Sequence, residues 1–281
     1  MKPSKQYQHK IPRVYLKRFG YEDGNNKWWV TVIKNDDIKP QKKSIKSFTA
    51  EENIFDIRSE DDLVVRMFED YNSQLDNTYN KIISDLDKEK KLSPKSLGHL
   101  ISLIPNLMCR SDYWRETIMQ LISHENKINF LQIIIGHHCK NQNDFNNLNE
   151  STHFKILSES TPENALNRVL LYFIDHLLLR LKEYEVVIIQ SQVNKPWSTS
   201  TNPIVVHNRT HQFEIFSKES EVYFPLTPKY LVYLHYKGSK DKKNILREYK
   251  SNHIYIATNE LNEKLMKIIL NNPSDYLILG E

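Results

Sequence analysis

The sequence predicts an α+β fold: a mainly antiparallel sheet built from N- and C-terminal strands, with a large central helical block inserted. Three observations predict it. Apolar residues recur at period two near both ends of the chain; between about residues 59 and 183 they recur at helical spacing; and no internal repeat or long linker separates the zones. The chain therefore reads as one composite domain over 1–281. It divides into an N-terminal helix and strands (1–58), the helical block (59–183), and C-terminal strands with a closing helix (184–281).

The elements follow in order. Val14, Tyr15, Leu16 and Phe19 give the first twenty residues a short anchoring helix. Residues 28–33 (WWVTVI) have the β-branched and aromatic content of a strand, and 44–56 should hold one or two more. From Ser59 the period changes: Ser59, Glu60, Asp61 and Asp62 put a capping residue and acids at a helix start. Val64, Met67, Phe68, Tyr71, Leu75, Tyr79, Ile82 and Leu86 then keep helical spacing. Ser93 and Pro94 open another helix, which Pro105 should kink or break before a helix over 108–124. A further helix is expected over 127–139, a loop over the Asn-rich 141–149, and a long helix from Thr161-Pro162-Glu163 to about Glu183. Period two returns at 186–190, 204–207, 213–216, 221–225, 231–236 and 253–257. Asn259 should cap a closing helix through Leu270, and 276–279 make a last strand.

Composition excludes more than it assigns. The 6 glycines form no G-x-G-x-x-G and no Walker-type loop, so a dinucleotide-binding Rossmann enzyme, a P-loop NTPase and a protein kinase are all disfavoured. Cys109 and Cys139 form no C-x-x-C and no disulfide framework, which fits a reducing compartment. The polar first ten residues lack the apolar run of a signal peptide, and no stretch reaches membrane-spanning length. A cytoplasmic location with no membrane contact is expected. The net charge of +4, from 39 Lys+Arg against 35 Asp+Glu, permits an anionic partner without demanding one. Two lysine runs (Lys39, Lys42, Lys43, Lys46 and Lys237, Lys240, Lys242, Lys243) read first as solvated loop tips and second as a surface for nucleic acid or a partner protein.

No metal site is expected, and any cofactor stays unassigned. His207 and His211 have zinc-helix spacing but lie in a strand-and-turn region without the glutamate base. His137, His138 and Cys139 are consecutive, so on a helix their side chains diverge. Glu248-Tyr249-Lys250 matches the E-x-K of metal-dependent nucleases, without a strand-borne aspartate at suitable spacing before it.

Four segments carry the remaining chemistry. His9 precedes the Pro12-started helix, as a cap, a core residue or an acid–base group. Arg110 stands one turn from Tyr113 and Trp114, with Arg115 beyond. An arginine stacked on those rings would leave its fork open to a phosphate; an internal salt bridge is the alternative. Ser200, Thr201, Asn202 and Pro203 pack polar groups at a strand entrance, and Phe224-Pro225-Leu226-Thr227-Pro228 is a rigid turn.

Taken in this order, the segments resemble the family catalogued as domain of unknown function 4238, a mainly bacterial set. The resemblance rests on His9, Pro12, Tyr15, Leu16 and Phe19, on Arg110, on residues 200–204 and on residues 224–228, with Asn259 also fitting; it spans nearly the whole chain. The family usually has aspartate where this chain has Thr201, which implies either an altered catalytic group or a turn that a hydroxyl can equally orient.

Two classes of function are expected. The first is an RNA- or DNA-directed phosphodiester hydrolase in a defence or toxin setting. His9 would be its acid or base, Arg110 would hold a phosphate, Asn202 would place substrate or water, and Thr201, Arg115, Tyr113 and Trp114 would line the substrate site. The second is a non-catalytic module that binds nucleic acid or another anionic ligand, or a protein-interaction subunit.

Overall fold

The computed structural model describes residues 4–37, 39–208, 215–238, 246 and 249–280. The chain opens with β1 (Tyr7–His9), after which Pro12, with its preset φ, leads into α1 (Arg13–Phe19). Tyr15, Leu16 and Phe19 lie on the buried side of α1, as their spacing predicts. Gly20 follows because nothing larger fits: a Cβ there would stand 2.1 Å from the Trp29 carbonyl oxygen. β2 (Tyr21–Glu22), β3 (Trp28–Lys34) and β4 (Gln41–Ser44) form a meander, and β5 (Ala50–Glu52) returns to pair with β1.

The helical block comprises α2 (Asp62–Asp76), α3 (Tyr79–Lys88), α4 (Pro94–Arg110), α5 (Asp112–Ser123), α6 (Lys127–Gly136), α7 (Gln142–Asn146), α8 (Thr152–Glu159) and α9 (Pro162–Leu181). Asp61 caps α2 by accepting from the Leu63 amide, and Ser93 caps α4 through the Ser96 amide. α9 is the hub, packing on α4, α5 and α6.

Here the structure corrects several expectations. Pro105 does not break its helix: α4 runs on to Arg110, and residues 103–110 are all buried, so tertiary packing outweighs the lost backbone bond. The break falls at Ser111, whose extended backbone (φ −73°, ψ 146°) separates α4 from α5. The run from Val64 to Leu86 divides at Asn77–Thr78, and Met67, assigned to the apolar set, is exposed. The Asn-rich segment is ordered as α7 and a 3-10 turn at residues 148–150, with Asn141 accepting from the Asp144 amide. Turn-forming asparagines cap helices as readily as they make loops.

The chain then enters β6 (Tyr184–Gln190), β7 (Thr199–Ser200), β8 (Val205–His207), β9 (Glu221–Pro225), β10 (Tyr230–Tyr236), β11 (Ile254–Ile256), α10 (Asn259–Leu270) and β12 (Tyr276–Ile278). Thr258, not Asn259, caps α10, accepting from the Leu261 amide. Of the expected strand at 213–216, residues 213 and 214 lie outside the described residues, and Ile215 and Phe216 form a bend.

Among the described residues, three mostly antiparallel sheets result. The five-stranded sheet β11-β6-β10-β9-β8 has β11 parallel to β6 and its other pairs antiparallel. A second sheet, β2-β3-β12-β7 with β4 on β3, joins both ends of the chain: Leu277 of β12 stands opposite Ile33 of β3 and Ser200 of β7. The third is the β1-β5 pair. β6 is buried on both faces. Val186 and Ile188 enter the large core under the helices, while Val187 and Ile189 enter a smaller core beneath α10, which explains the uninterrupted apolar run VVII. Among the described residues, no helix is long and apolar enough to cross a membrane.

Candidate active site

Segments distant in sequence meet where α2 and α4 end. Arg110 is the last residue of α4 and Asp76 the last of α2, and the Arg110 Nη1 donates to Asp76 Oδ1 at 2.9 Å. Nη2 donates to the backbone carbonyl of His9, tying β1 to the helical block. Ser111 makes this placement possible, because its Oγ donates to the Met108 carbonyl (2.9 Å) and closes α4 immediately after Arg110. The Arg110 side chain is 2% exposed, with its guanidinium over Phe55 at 5.7 Å from the ring centroid. The expected stacking on Tyr113 and Trp114 is replaced by Phe55. The expected open fork is also replaced, by the internal salt bridge that the sequence left as the alternative.

His9 ends β1, with its backbone opposite Ala50 of β5 and its ring Nε2 3.1 Å from the Lys46 carbonyl oxygen. A carbonyl only accepts, so Nε2 carries the proton and Nδ1 the lone pair. Burial lowers the His9 pKa below the usual histidine value, and the nearby Arg13 and Arg110 charges lower it further, against the Lys46 bond and Asp76. His9 is therefore a neutral imidazole at pH 7.

His9 borders a cavity of about 270 Å³ whose wall includes Arg13, Glu69, Asp76, Asn80 and Arg110. Burial raises the Glu69 pKa, opposed by the Arg110 charge and a hydrogen bond from Asn72. The cavity thus holds an imidazole held neutral, a carboxyl biased toward its protonated form, and two guanidiniums. Environments that push titratable groups in opposite directions suit proton transfer.

Asn202 is not brought to this cavity. Its Nδ2 donates to the Pro273 carbonyl (2.9 Å), its Oδ1 accepts from Ser111 Oγ (3.4 Å), and its backbone oxygen accepts from Asn272 Nδ2 (2.7 Å). It braces the α4–α5 junction against the α10–β12 connection, and it borders a separate cavity of about 270 Å³ shared with Thr201, Asp112, Tyr113 and Asp275. Arg115 is also held internally. It donates to Asn167 Oδ1 (3.0 Å) and the Ile54 carbonyl (3.2 Å), lies over Phe55, and burial pulls its pKa down to about 10. Tyr113 and Trp114 meet edge to face at 5.4 Å and border a third cavity of about 180 Å³ with His207. Of the seven sequence-derived residues, His9 and Arg110 border the first cavity, Thr201, Asn202 and Tyr113 the second, and Tyr113 and Trp114 the third.

The family model described as "Protein of unknown function (DUF4238)" matches residues 7–278. The chain belongs to this family. No curated protein and no solved structure matches it. At the position where the family resemblance leads one to expect aspartate, Thr201 Oγ1 accepts from the Asp275 and Tyr276 amides, both at 3.2 Å. That is an oxygen acceptor orienting the turn into β12, a task a carboxylate oxygen would perform equally.

Sequence reasoning missed Glu69, Asp76, Arg13 and Asn80. A signal existed: on α2 the buried stripe Val65, Phe68 and Leu75 is interrupted by Glu69, Asn72 and Asp76 at i, i+3 and i+7, a polar face where core is required. Among the described residues, no three His, Cys, Asp or Glu side chains form a metal-holding group; His211 and Glu248 lie outside the described residues.

Proposed function

We propose that the protein is a phosphodiester-directed hydrolase acting on RNA or DNA, with His9 as its general base. The observation that carries this reading is the His9 imidazole, with Nε2 on the Lys46 carbonyl, bordering a cavity that Arg13 and Arg110 also line. His9 Nδ1 takes a proton from water as its oxygen attacks phosphorus, and the leaving oxygen departs as the P–O bond breaks. Arg13, exposed at the cavity rim, supplies the phosphate contact. Arg110 is a positioning residue, since both its terminal nitrogens already donate to Asp76 and the His9 carbonyl. A cavity of this size takes one phosphate and its adjoining sugar, with the polymer across the open rim.

The test incubates purified protein with RNA and DNA oligonucleotides across a series of divalent metals, beside His9→Ala and His9→Gln. Cleavage reduced about 10²–10⁴-fold in both variants is the expected result. Equal cleavage in wild type and variants, or none under any metal, refutes the reading.

A second reading, a non-catalytic binder of nucleic acid, draws on lysines placed over aromatic rings: Lys17 over Trp28 (4.9 Å), Lys42 over Tyr21 (5.3 Å) and Lys43 over Tyr276 (5.7 Å). Its signature is salt-sensitive oligonucleotide binding that weakens in Lys42→Ala and Lys43→Ala without turnover. Lys240, Lys242 and Lys243 of the other lysine run lie outside the described residues.

A further inference from the structure

Two asparagines sit where the helix interface should be apolar. Asn72 of α2 is 1% exposed and Asn106 of α4 is fully buried, among Phe68, Leu75, Leu103 and Leu107. Burying an amide is costly unless its donors and acceptors are matched. Asn106 Nδ2 donates to Asn72 Oδ1 at 2.7 Å, and Asn72 Nδ2 donates to Glu69 Oε2 at 3.4 Å. The chain of donors therefore runs from the core to the carboxyl group on the cavity wall. At its far end, Asn106 Oδ1 has no hydrogen-bond partner among the described residues.

The direction of this chain is set by the charge on Glu69. An ionised carboxylate only accepts, so Asn72 must present its Nδ2 to Glu69 and its Oδ1 to Asn106. Once protonated, Glu69 has an O–H to donate. Asn72 then meets it with Oδ1 after a half-turn of its amide, which brings Nδ2 round to Asn106. Asn106 turns in the same way, and the oxygen that was unmatched becomes the acceptor. Both arrangements contain two hydrogen bonds and leave one end of the Asn106 amide unmatched: Oδ1 as it stands, Nδ2 once reversed.

We propose that Glu69 is the second proton-exchanging group of the His9 cavity, and that Asn72 and Asn106 are positioning residues that reverse together to accommodate it as acid and as carboxylate. This rests on the acid–base reading of the cavity. Hydrolysis removes one proton from water and delivers one to the leaving oxygen. His9 Nδ1 takes the first, the Glu69 carboxylic acid gives the second as the P–O bond breaks, and both reset by exchange with solvent. The raised Glu69 pKa keeps a protonated fraction available nearer neutrality than an ordinary glutamate would.

The test is an NMR titration of the intact wild-type chain from about pH 4 to 8, a window spanning ordinary and raised glutamate values. It follows the Glu69 carboxyl carbon and the side-chain amide signals of Asn72 and Asn106. The expected result is one shared midpoint for all three, with the Asn106 amide moving although its donor contact is to Asn72. Glu69→Gln should hold both amides still, and Asn72→Leu should raise the Glu69 midpoint by about one pH unit, because the anion loses a donor. An Asn106 amide that stays fixed through the Glu69 transition, or that moves unchanged in Glu69→Gln, overturns this inference even if cleavage is found. Coupled titration in a chain that cleaves no oligonucleotide overturns the proposed function and supports the relay.

Discussion

Removing either partner of the Arg110–Asp76 pair should destabilise the fold, and unequally. Truncating one member of a buried ion pair costs about 3–5 kcal/mol, mainly because the other charge is left without compensation. Which end of that range applies depends on how well water reaches the survivor. Arg110→Ala leaves the Asp76 carboxylate, 24% exposed, so rehydration softens the loss to about 3 kcal/mol. Asp76→Ala leaves a guanidinium 2% exposed, which points to the upper end, about 4–5 kcal/mol. The residual bond from Arg110 to the His9 carbonyl does not neutralise that charge. The double variant should cost less than the sum of the singles by about 2 kcal/mol, since contacting residues couple. The assay is equilibrium urea unfolding at pH 7, read by near-ultraviolet circular dichroism so that tertiary packing is followed. A loss below about 1 kcal/mol for either single variant, or Arg110→Ala costing more than Asp76→Ala, would refute the burial argument.

Two further predictions concern the scaffold. His176 of α9, beside His137 (5.8 Å between rings), is held neutral by burial, with its pKa pulled down to about 4 from 6.5; its neutral form is favoured in the fold, so stability is fully present above about pH 6.5 and lost as pH falls toward 4. Discounted for a half-buried ring, the loss should be about 1–2 kcal/mol, and His176→Gln should flatten urea midpoints between those pH values; an unchanged slope counts against it. Gly20→Ala should cost about 1–3 kcal/mol by pressing a methyl onto the Trp29 carbonyl, whereas Gly98→Ala, exposed in α4 with nothing within 4 Å, should gain about 0.5–1 kcal/mol; equal urea midpoints for the two variants would contradict this.

Legibility followed the locality of the physics. Period and capping are local, so the 59–62 cluster, Ser93 and the apolar set of α1 placed their helices, although the cap of α2 is Asp61 rather than Ser59, and the two ends of the chain were correctly expected to share a sheet, as β12 beside β3. Pro105 misled because its penalty is local while the packing that overrides it is not. β1, β2 and β7 are two or three residues long, too short for a period to register, and exist through their partners. In the candidate site, His9 and Arg110 were legible as unusual residues at element ends. Their company was not: Asp76 is 34 positions from Arg110, and only the fold decides that Arg110 reaches it rather than Asp112 or Glu116. Asn202 and Arg115 looked functional for the opposite reason. Polar side chains bridging distant backbone segments carry the same residue types as a binding site, and only burial distinguishes the two.

The charges around the His9 cavity give the proposed chemistry a direction. Two guanidiniums, Arg13 and Arg110, face two carboxyl groups, Asp76 and Glu69. With both carboxyls ionised the cavity is neutral, and an incoming phosphate must be desolvated without net attraction. Protonating Glu69 leaves one positive charge uncompensated and supplies the proton that a leaving oxygen needs, so one event prepares the cavity for the anion and for the chemistry. The coupling is reciprocal: a phosphate held there must raise the Glu69 pKa by as much as protonation tightens its binding. Asp76 Oδ1 holds Arg110 Nη1 at the cavity wall. Glu69, whose partners in the core can reverse, is the group free to change state.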